Sequence, residues 1–263
     1  MNITMLLDIF RPNKSVSRPT ILIIVGVQVA LALFAWYAMG PLIPKPHEIW
    51  AAFTKLLGEG DLIRELVVST GLCLEALAIA ILISLIISYL TVIPFFRPIA
   101  FIVSKGRFLT LVGLSFVFTL MVSSGHGLKV WLMVFGITVF FVTSMVAMIK
   151  AIPKAEFNHA RTLRMNEWQT VWEVVILGKI DLVFEIIRQN FAIAWMMLTM
   201  VEGISRSEGG IGTMLLNQNK HLHLDAVFAI QCVILTVGIL MDYLIGIFKN
   251  IFCPYASLTL ERK

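Results

Sequence analysis

The chain has 263 residues, of which 59% are hydrophobic and 14% are charged, and its mean hydropathy is +0.90. Soluble domains contain about 45–50% apolar and about 25% charged residues, so this composition excludes a soluble globular domain and predicts an integral membrane protein. The formal net charge of +5 then indicates contact with lipid headgroups rather than with nucleic acid.

Long windows without charged residues predict the membrane spans, because a helix needs about 20 apolar residues to cross the hydrocarbon layer. We expect one all-α membrane domain of six spans over residues 20–250, between a cytoplasmic segment, 1–19, and a cytoplasmic tail, 251–263. The first apolar run exceeds the roughly 7–15 residues typical of a signal peptide, and we expect it to be a retained anchor. The spans are predicted at 21–40, from Leu72 to Arg97, between Arg107 and Lys129, between Lys129 and Lys150, at 180–201 and at 226–248.

The distribution of basic residues predicts the orientation of these spans. With both termini in the cytoplasm, 14 of the 21 Lys and Arg residues lie on the cytoplasmic side and 6 on the opposite side, while Arg188 lies within the fifth span. Cytoplasmic loops carry an excess of basic residues. We therefore expect both termini to be cytoplasmic.

The segment between the first two spans, 41–65, begins with the prolines of "PLIPKPHEIW". These prolines stiffen the chain before a short amphipathic pattern at 49–57. We expect a short helix there, outside the bilayer and on the side opposite the cytoplasm.

A second polar segment, 151–178, lies between the fourth and fifth predicted spans. Pro153 fits the first turn of a helix, where its missing N–H is tolerated. Phe157, Ala160 and Leu163 then recur every three residues along one face. The pattern predicts a short helix on the cytoplasmic side.

A new helix start follows in the same segment. Asn166 with Gln169 three residues later forms an Asn-type capping box, so we expect two helices joined at 163–165. The second helix is predicted to carry an apolar stripe of Trp168, Val171, Trp172 and Val175. Periodicity alone leaves open an ordinary amphipathic helix that lies among the lipid headgroups without a further role.

The sequence of this segment resembles a known element. "IPKAEFNHARTLRMNEWQTVWEVVIL" is similar to the cytoplasmic coupling loop, or EAA loop, of permease subunits in binding-protein-dependent ABC importers, in particular those of the nitrate, sulfonate and taurine branch. Two further stretches, Ile43–Gly71 and Met200–Ala229, are similar to the family's segments after the first helix and before the last one. The resemblance covers residues 20–250 in the family's order.

The chain departs from the family's loop at several positions. The family's Glu-Ala-Ala falls on Asn158, His159 and Ala160, and its hinge glycine falls on Arg164. A residue with a Cβ adopts the left-handed conformation only at a cost. A left-handed hinge at Arg164 would therefore be strained.

The resemblance implies a role and a set of partners. It implies that a cytoplasmic ATPase dimer binds the loop. That dimer would also bind ATP and Mg²⁺, since this chain has no G-x-x-x-x-G-K-[ST] motif. This chain would then be a transport subunit without an enzymatic site or a cofactor of its own. It also implies a second permease copy in a homodimer, an extracytoplasmic solute-binding protein, a place in the bacterial cytoplasmic membrane, and a small anion such as a sulfonate, nitrate or taurine as the solute. The expected ATPase-coupling residues are Phe157, Asn158, His159, Ala160, Arg161, Leu163, Arg164 and Met165. Among these, the apolar part of the contact is expected at Phe157, Leu163 and Met165.

Ionisable residues inside the predicted spans are candidates for the translocation path, because charge is costly in the hydrocarbon layer. Glu185 and Arg188 share a helical face with Asp181 and can pair; a neutralised stripe that only faces the bundle is the alternative. Glu75 has no partner nearby in sequence, and both a packing role and a path role are open. Glu202 closes the fifth span at its outer end, and we expect it to be a path or gating residue.

Other functional classes remain as alternatives. A secondary transporter or channel driven by an ion gradient would be favoured by inverted repeats or broken spans, and an intramembrane enzyme would need a nucleophile and a base; the sequence indicates neither. His221, His223 and Asp225 lie close together, but residues at i and i+2 do not share a helical face. No metal site is predicted.

Overall fold

The computed structural model describes residues 18–38, 43–58, 60–205 and 208–254. In these ranges all regular structure is helical, so the predicted all-α membrane protein is confirmed. Most of the predicted cytoplasmic segment, 1–19, and of the predicted tail, 251–263, lies outside the described residues. The α-helices are α1 (Arg18–Ala38), α2 (Pro46–Gly58), α3 (Asp61–Leu90), α4 (Arg97–Lys105), α5 (Leu111–Met121), α6 (Gly125–Ala151), α7 (Lys154–Thr162), α8 (Glu167–Thr170), α9 (Ile180–Ile204), α10 (Ile211–Lys220) and α11 (Leu224–Phe252). Short 3-10 turns occur at Pro94–Phe96, Gly106–Phe108 and Leu177–Lys179, and a π-helical segment at Val171–Ile176.

Four of the described helices are long and apolar enough to cross a membrane, namely α1 from Pro19 onward, α3, α6 and α11. They correspond to the first, second, fourth and sixth predicted spans. α1 stands apart from the rest, since no residue of its apolar window is buried. Its contact with the following segment includes a hydrogen bond in which the Trp36 indole N–H donates to the Pro44 carbonyl (3.2 Å).

The third predicted span, between Arg107 and Lys129, is not one continuous helix but part of a bent pair of helices. Two helical pieces, Pro94–Phe108 and α5, meet there at an angle of 113°. The backbone of Thr110 is extended and its hydroxyl accepts a hydrogen bond from the Gly113 amide, which starts a new helix at that point. α5 has only 11 residues, or roughly 16 Å, about half the thickness of the hydrocarbon layer. Lys129, expected at a boundary between spans, lies inside α6.

The fifth predicted span is one continuous helix, α9, although its composition is less apolar than that of the other spans. It packs against α3, α6, α10 and α11. Its buried side chains include Phe191, Trp195 and Leu198. Because protein rather than lipid surrounds much of this helix, it can carry polar residues that a lipid-facing span would not tolerate.

The most extensive contact between two helices of the bundle is between α3 and α6. Small side chains let two helices approach closely within a membrane, and α3 buries such a row. The fully buried small residues of α3 are Ser69, Cys73, Ala76, Ala80, Ser84 and Ser88. Large side chains of α6, among them Leu132, Met133 and Ile137, fill the core beside this row.

The chain direction gives the bundle two distinct ends. At one end, which we call the Glu202 end, the first turns of α3, α6 and α11 meet the last turn of α9 and the helix α10. At the other, the Arg164 end, the last turns of α3, α6 and α11 meet the segment 152–179 and the start of α9. The α2 helix covers the Glu202 end, where its residues Ile49, Ala52 and Leu56 are buried next to α11.

Candidate functional site

The polar segment at the Arg164 end forms the two short helices expected from the sequence. The first, α7, begins immediately after Pro153. The second begins with the predicted capping box, in which the Gln169 amide donates to Asn166 Oδ1 (2.8 Å) and the Asn166 amide donates to Gln169 Oε1 (3.0 Å). The local sequence therefore fixes both helix starts.

The hinge between the two helices adopts the left-handed conformation. Arg164 has φ +56°, although it carries a side chain at a position where glycine is usual. The Met165 amide donates to the Ala160 carbonyl (3.3 Å) and the Arg164 amide to the Arg161 carbonyl (3.0 Å). These two bonds form a Schellman motif, which satisfies carbonyls left free at the end of α7.

The predicted ATPase-coupling residues lie on different surfaces of this segment. Asn158, His159, Arg161 and Arg164 are exposed, and Leu163 is 58% exposed. The other three turn inward to differing degrees, since Ala160 is buried, Met165 is half-buried, and Phe157 lines a cavity on the side of the bundle. Only part of the predicted set is therefore available to an outside partner.

The predicted apolar stripe of the second helix is wrong. Trp168 and Trp172 are largely exposed, whereas Thr170 and Val175 are buried. The reason is the π-helical segment, Val171–Ile176, whose wider turns break the spacing of three and four residues on which the expectation rested. Exposed Trp side chains at this end are typical of a membrane interface.

An ion pair ties α7 to the helix that runs through the centre of the bundle. Lys179 Nζ donates to Glu156 Oε1 at 2.8 Å. Lys179 precedes the first residue of α9, and its side chain is mostly buried. The pair therefore links α7 to the start of α9.

The ionisable residues of α9 find their main partners on α11. The Arg188 guanidinium donates twice to Asp242, from Nε to Oδ1 (2.7 Å) and from Nη2 to Oδ2 (2.9 Å). Lys249 Nζ donates to Glu185 Oε2 (3.0 Å), and the expected Glu185–Arg188 contact is present at 3.8 Å. The charges therefore neutralise one another between two helices rather than along one.

Glu202 lies in a buried polar cluster at the opposite end. The side chain is 1% exposed, with Ser69 Oγ donating to its Oε1 (2.5 Å) and the Gly212 amide donating to its Oε2 (2.7 Å). The Ile211 amide donates to Ser69 Oγ (2.8 Å), and Thr213 Oγ1 donates to the Glu202 carbonyl (3.0 Å). These bonds join α3, α9 and the start of α10.

Two further charged residues complete this cluster. Lys129 of α6 is buried, and its Nζ donates to the Gly209 carbonyl (2.8 Å). Glu65 of α3 accepts a hydrogen bond from the Gly210 amide. Gly209 and Gly210 both have positive φ, so the turn depends on glycine there. The polar groups of the cluster engage the backbone of the turn rather than an open path.

Glu75, for which the sequence indicated no nearby partner, contacts His126 at the start of α6. Its Oε2 lies 3.0 Å from His126 Nε2, and His126 Nδ1 lies 3.9 Å from Glu208. The side chains are about half exposed. This group therefore forms part of the surface of the Glu202 end.

The sequence did not identify Glu65, Ser69 and Lys129 as partners of Glu202. The glycine-rich turn that begins seven residues after Glu202 was a usable signal, because glycines that bring backbone amides close together can bind a carboxylate. Nothing local indicated which side chains of α3 and α6 would meet that turn.

No protein-family model matches the chain, and no curated protein matches it. Among solved structures, the chain is similar to a chain of one described as "Crystal structure of an amino acid ABC transporter with histidines", with a TM-score of 0.59 and 16% sequence identity. The alignment covers 76% of this chain and 96% of that chain. The two chains thus share a fold. This likeness does not point to the nitrate, sulfonate and taurine branch.

Proposed function

We propose that this chain is the membrane-spanning permease subunit of an ATP-driven ABC importer. The observation that carries the proposal is the pair of short helices at the Arg164 end, joined by a left-handed hinge in a chain whose fold is similar to that of an ABC transporter chain. A short helix that stands outside the spans suits a helix-in-groove contact with a soluble partner. The exposed residues Asn158, His159, Arg161, Leu163 and Arg164 offer such a contact.

The coupling step follows from the contacts of α7. Two cytoplasmic ATPase subunits hold the α7 helices of two permease copies, and these subunits bind the ATP and Mg²⁺. When the ATPases close, each α7 moves as a rigid body. The Glu156–Lys179 pair (2.8 Å) transmits this movement to α9, whose pairs with α11 through Arg188 and Glu185 can rearrange between inward-open and outward-open states.

At the Glu202 end, an extracytoplasmic solute-binding protein docks on the surface around α2 and α10. Glu202 acts there by holding the turn 209–213, and Glu75 lies at the rim with His126. The excess of basic residues at the Arg164 end supports a cytoplasmic location for it. The sequence resemblance supports a small anion such as a sulfonate, nitrate or taurine as the solute, and the binding protein does most of the selection.

A secondary transporter driven by an ion gradient is the second candidate. It is favoured by one observation, the network of Glu185, Arg188, Asp242 and Lys249 between α9 and α11, because ionisable groups within a membrane often serve in proton relays. This candidate requires neither an ATPase nor a role for the Arg164 hinge.

Site-specific photo-cross-linking in native membranes tests the proposal. A cross-linking amino acid replaces Leu163 at the hinge, and the matched control replaces Leu222, an exposed leucine at the Glu202 end. We expect the Leu163 position to label an ATPase subunit and the Leu222 position to label none. Cross-links from Leu163 to lipid alone, or solute uptake that persists on an ion gradient without ATP, would contradict the proposal.

A further inference from the structure

A cavity of about 610 Å³ opens at the Arg164 end, between the last turns of α3 and α6, the helix α4 and the segment 152–179. Two cations, Arg97 and Lys150, line it together with Thr91 and Ser104, whose hydroxyls donate to the backbone carbonyls of Ser88 and Phe101. The remaining wall is apolar and includes Phe101 and Phe157. The cavity thus combines a cationic portion with an apolar portion.

The two cations have no countercharge in the part of the chain that the structure describes. No carboxylate lines the cavity, and neither Arg97 nor Lys150 is within ion-pair distance of a described Asp or Glu. Arg97 Nε donates to the Thr91 carbonyl (3.2 Å), which leaves the terminal guanidinium nitrogens without a described acceptor. Both cations are exposed and line the same cavity, so an anion in the cavity would meet two positive groups and no carboxylate.

The surroundings of the cavity fit the depth of lipid headgroups. α4 turns by 113° relative to α5, so α4 lies close to the membrane plane when α5 points along the membrane normal. Phe101, Ile102 and Phe108 are exposed around α4, and Lys105 Nζ lies 5.1 Å from the centre of the Phe101 ring. Basic and aromatic residues on a short interfacial helix are typical of contact with anionic lipid.

We propose that this cavity binds the phosphate of an anionic phospholipid. Arg97 and Lys150 hold the phosphate oxygens, for which a guanidinium and an ammonium are suited, and the acyl chains lie along the exposed apolar face of α4. Phe157 and Val175 line the same cavity, so the lipid contacts the segment 152–179 as well as the bundle. The inference goes beyond the proposed function and does not depend on it.

The test uses the full chain purified in detergent. Phosphatidylglycerol and phosphatidylcholine are added separately, and bound lipid is counted by native mass spectrometry while Tm is recorded. We expect phosphatidylglycerol to remain bound and to raise Tm by several degrees, and phosphatidylcholine to do neither. The same Tm shift with both lipids would overturn the proposal.

Paired variants locate the site. R97Q/K150Q is expected to weaken phosphatidylglycerol binding about tenfold for each cation lost, as charge-assisted hydrogen bonds imply. The matched control, R64Q/K220Q, removes the same net charge from exposed residues at the Glu202 end that do not line the cavity and is expected to bind phosphatidylglycerol as the unaltered chain does. Equal losses in both variants would overturn the proposal, because they would indicate general surface attraction. If the double variant does not fold, R97Q and K150Q are measured singly, and unchanged binding in both would also overturn it.

A last arm separates a lipid from a free anion. Inorganic phosphate is added at millimolar concentration, and the amount of bound phosphatidylglycerol is measured. We expect the lipid to remain, because its acyl chains contribute to binding. Complete displacement by inorganic phosphate, with an equal rise in Tm, would assign the cavity to a soluble anion and overturn the proposal.

Discussion

In the cluster around Glu202, charged side chains are buried and hydrogen-bonded to distant parts of the chain, whereas the ion pairs at the Arg164 end are partly exposed. Removing one partner of a buried charged pair typically costs about 3–5 kcal/mol, while exposed pairs contribute about 0–1 kcal/mol. The contacts around Glu202 are therefore expected to cost more to break than the ion pairs at the Arg164 end.

The largest effect is expected from Glu202→Ala. The substitution leaves Ser69 and the Gly212 amide without their acceptor and removes a negative charge near the buried Lys129. We expect the free energy of unfolding to fall by about 3–5 kcal/mol, measured by denaturant unfolding in detergent. At the other end, Glu185→Ala removes a partly exposed carboxylate and should cost about 1 kcal/mol or less. Similar losses of unfolding free energy for both variants would contradict the expected difference in stability between the two ends.

A second substitution tests how tightly the turn at the Glu202 end is packed. A Cβ at Gly212 would lie 2.6 Å from the Thr199 carbonyl oxygen, so Gly212→Ala must displace backbone. We expect a loss of about 1–3 kcal/mol, as for overpacked cores. Gly71→Ala is the control, because a Cβ at Gly71 meets no atom within 4 Å; it should be neutral or stabilise the helix by up to about 1 kcal/mol. A harmless Gly212→Ala would mean that the turn is looser than described.

Charge reversal probes the link between α7 and α9. Glu156→Lys alone and Lys179→Glu alone each place like charges together where a 2.8 Å pair now stands, and each should lower the free energy of unfolding by about 1 kcal/mol. The solute transported per ATP hydrolysed should fall more clearly, and the double variant should recover it. Charge reversal of Lys154, an exposed residue of α7 outside the predicted ATPase-coupling set, serves as the control. If the double variant does not recover coupling, the pair transmits no movement.

The smallest effect is expected at the hinge. Arg164→Gly relieves a left-handed residue whose cost is about 1–2 kcal/mol, but glycine gains freedom in the unfolded chain. The two effects oppose each other, and we expect Tm to rise by a few degrees at most. Arg164→Val should lower Tm, because a β-branched side chain tolerates this conformation poorly. A lower Tm for Arg164→Gly would indicate that the guanidinium itself stabilises the segment.

Features set by local sequence were predictable, and features set by distant contacts were not. The apolar windows identified four of the spans, and Asn166 with Gln169 identified a helix start, because each signal lies within a few residues. The partners of Glu75, Arg188 and Glu202 lie 51, 54 and 133 residues away in the sequence. Hydrophobic periodicity is a local pattern and cannot identify contacts between residues so far apart. The break before α5 was also missed. The sequence gives no change of composition at Leu109 and Thr110, whereas the helical backbone is interrupted at these two residues.

The shortness of α5 has a consequence for the membrane around the protein. Because its roughly 16 Å are about half the thickness of the hydrocarbon layer, a bilayer of ordinary thickness would also surround the non-helical residues on either side of α5, where acyl chains supply no hydrogen bonds to peptide groups. Leu120 and Met121 nevertheless point outward. On the side of the bundle formed by α5, the chain has no helix that spans the full hydrocarbon layer, so either the bilayer is thinner there or another polypeptide covers this side.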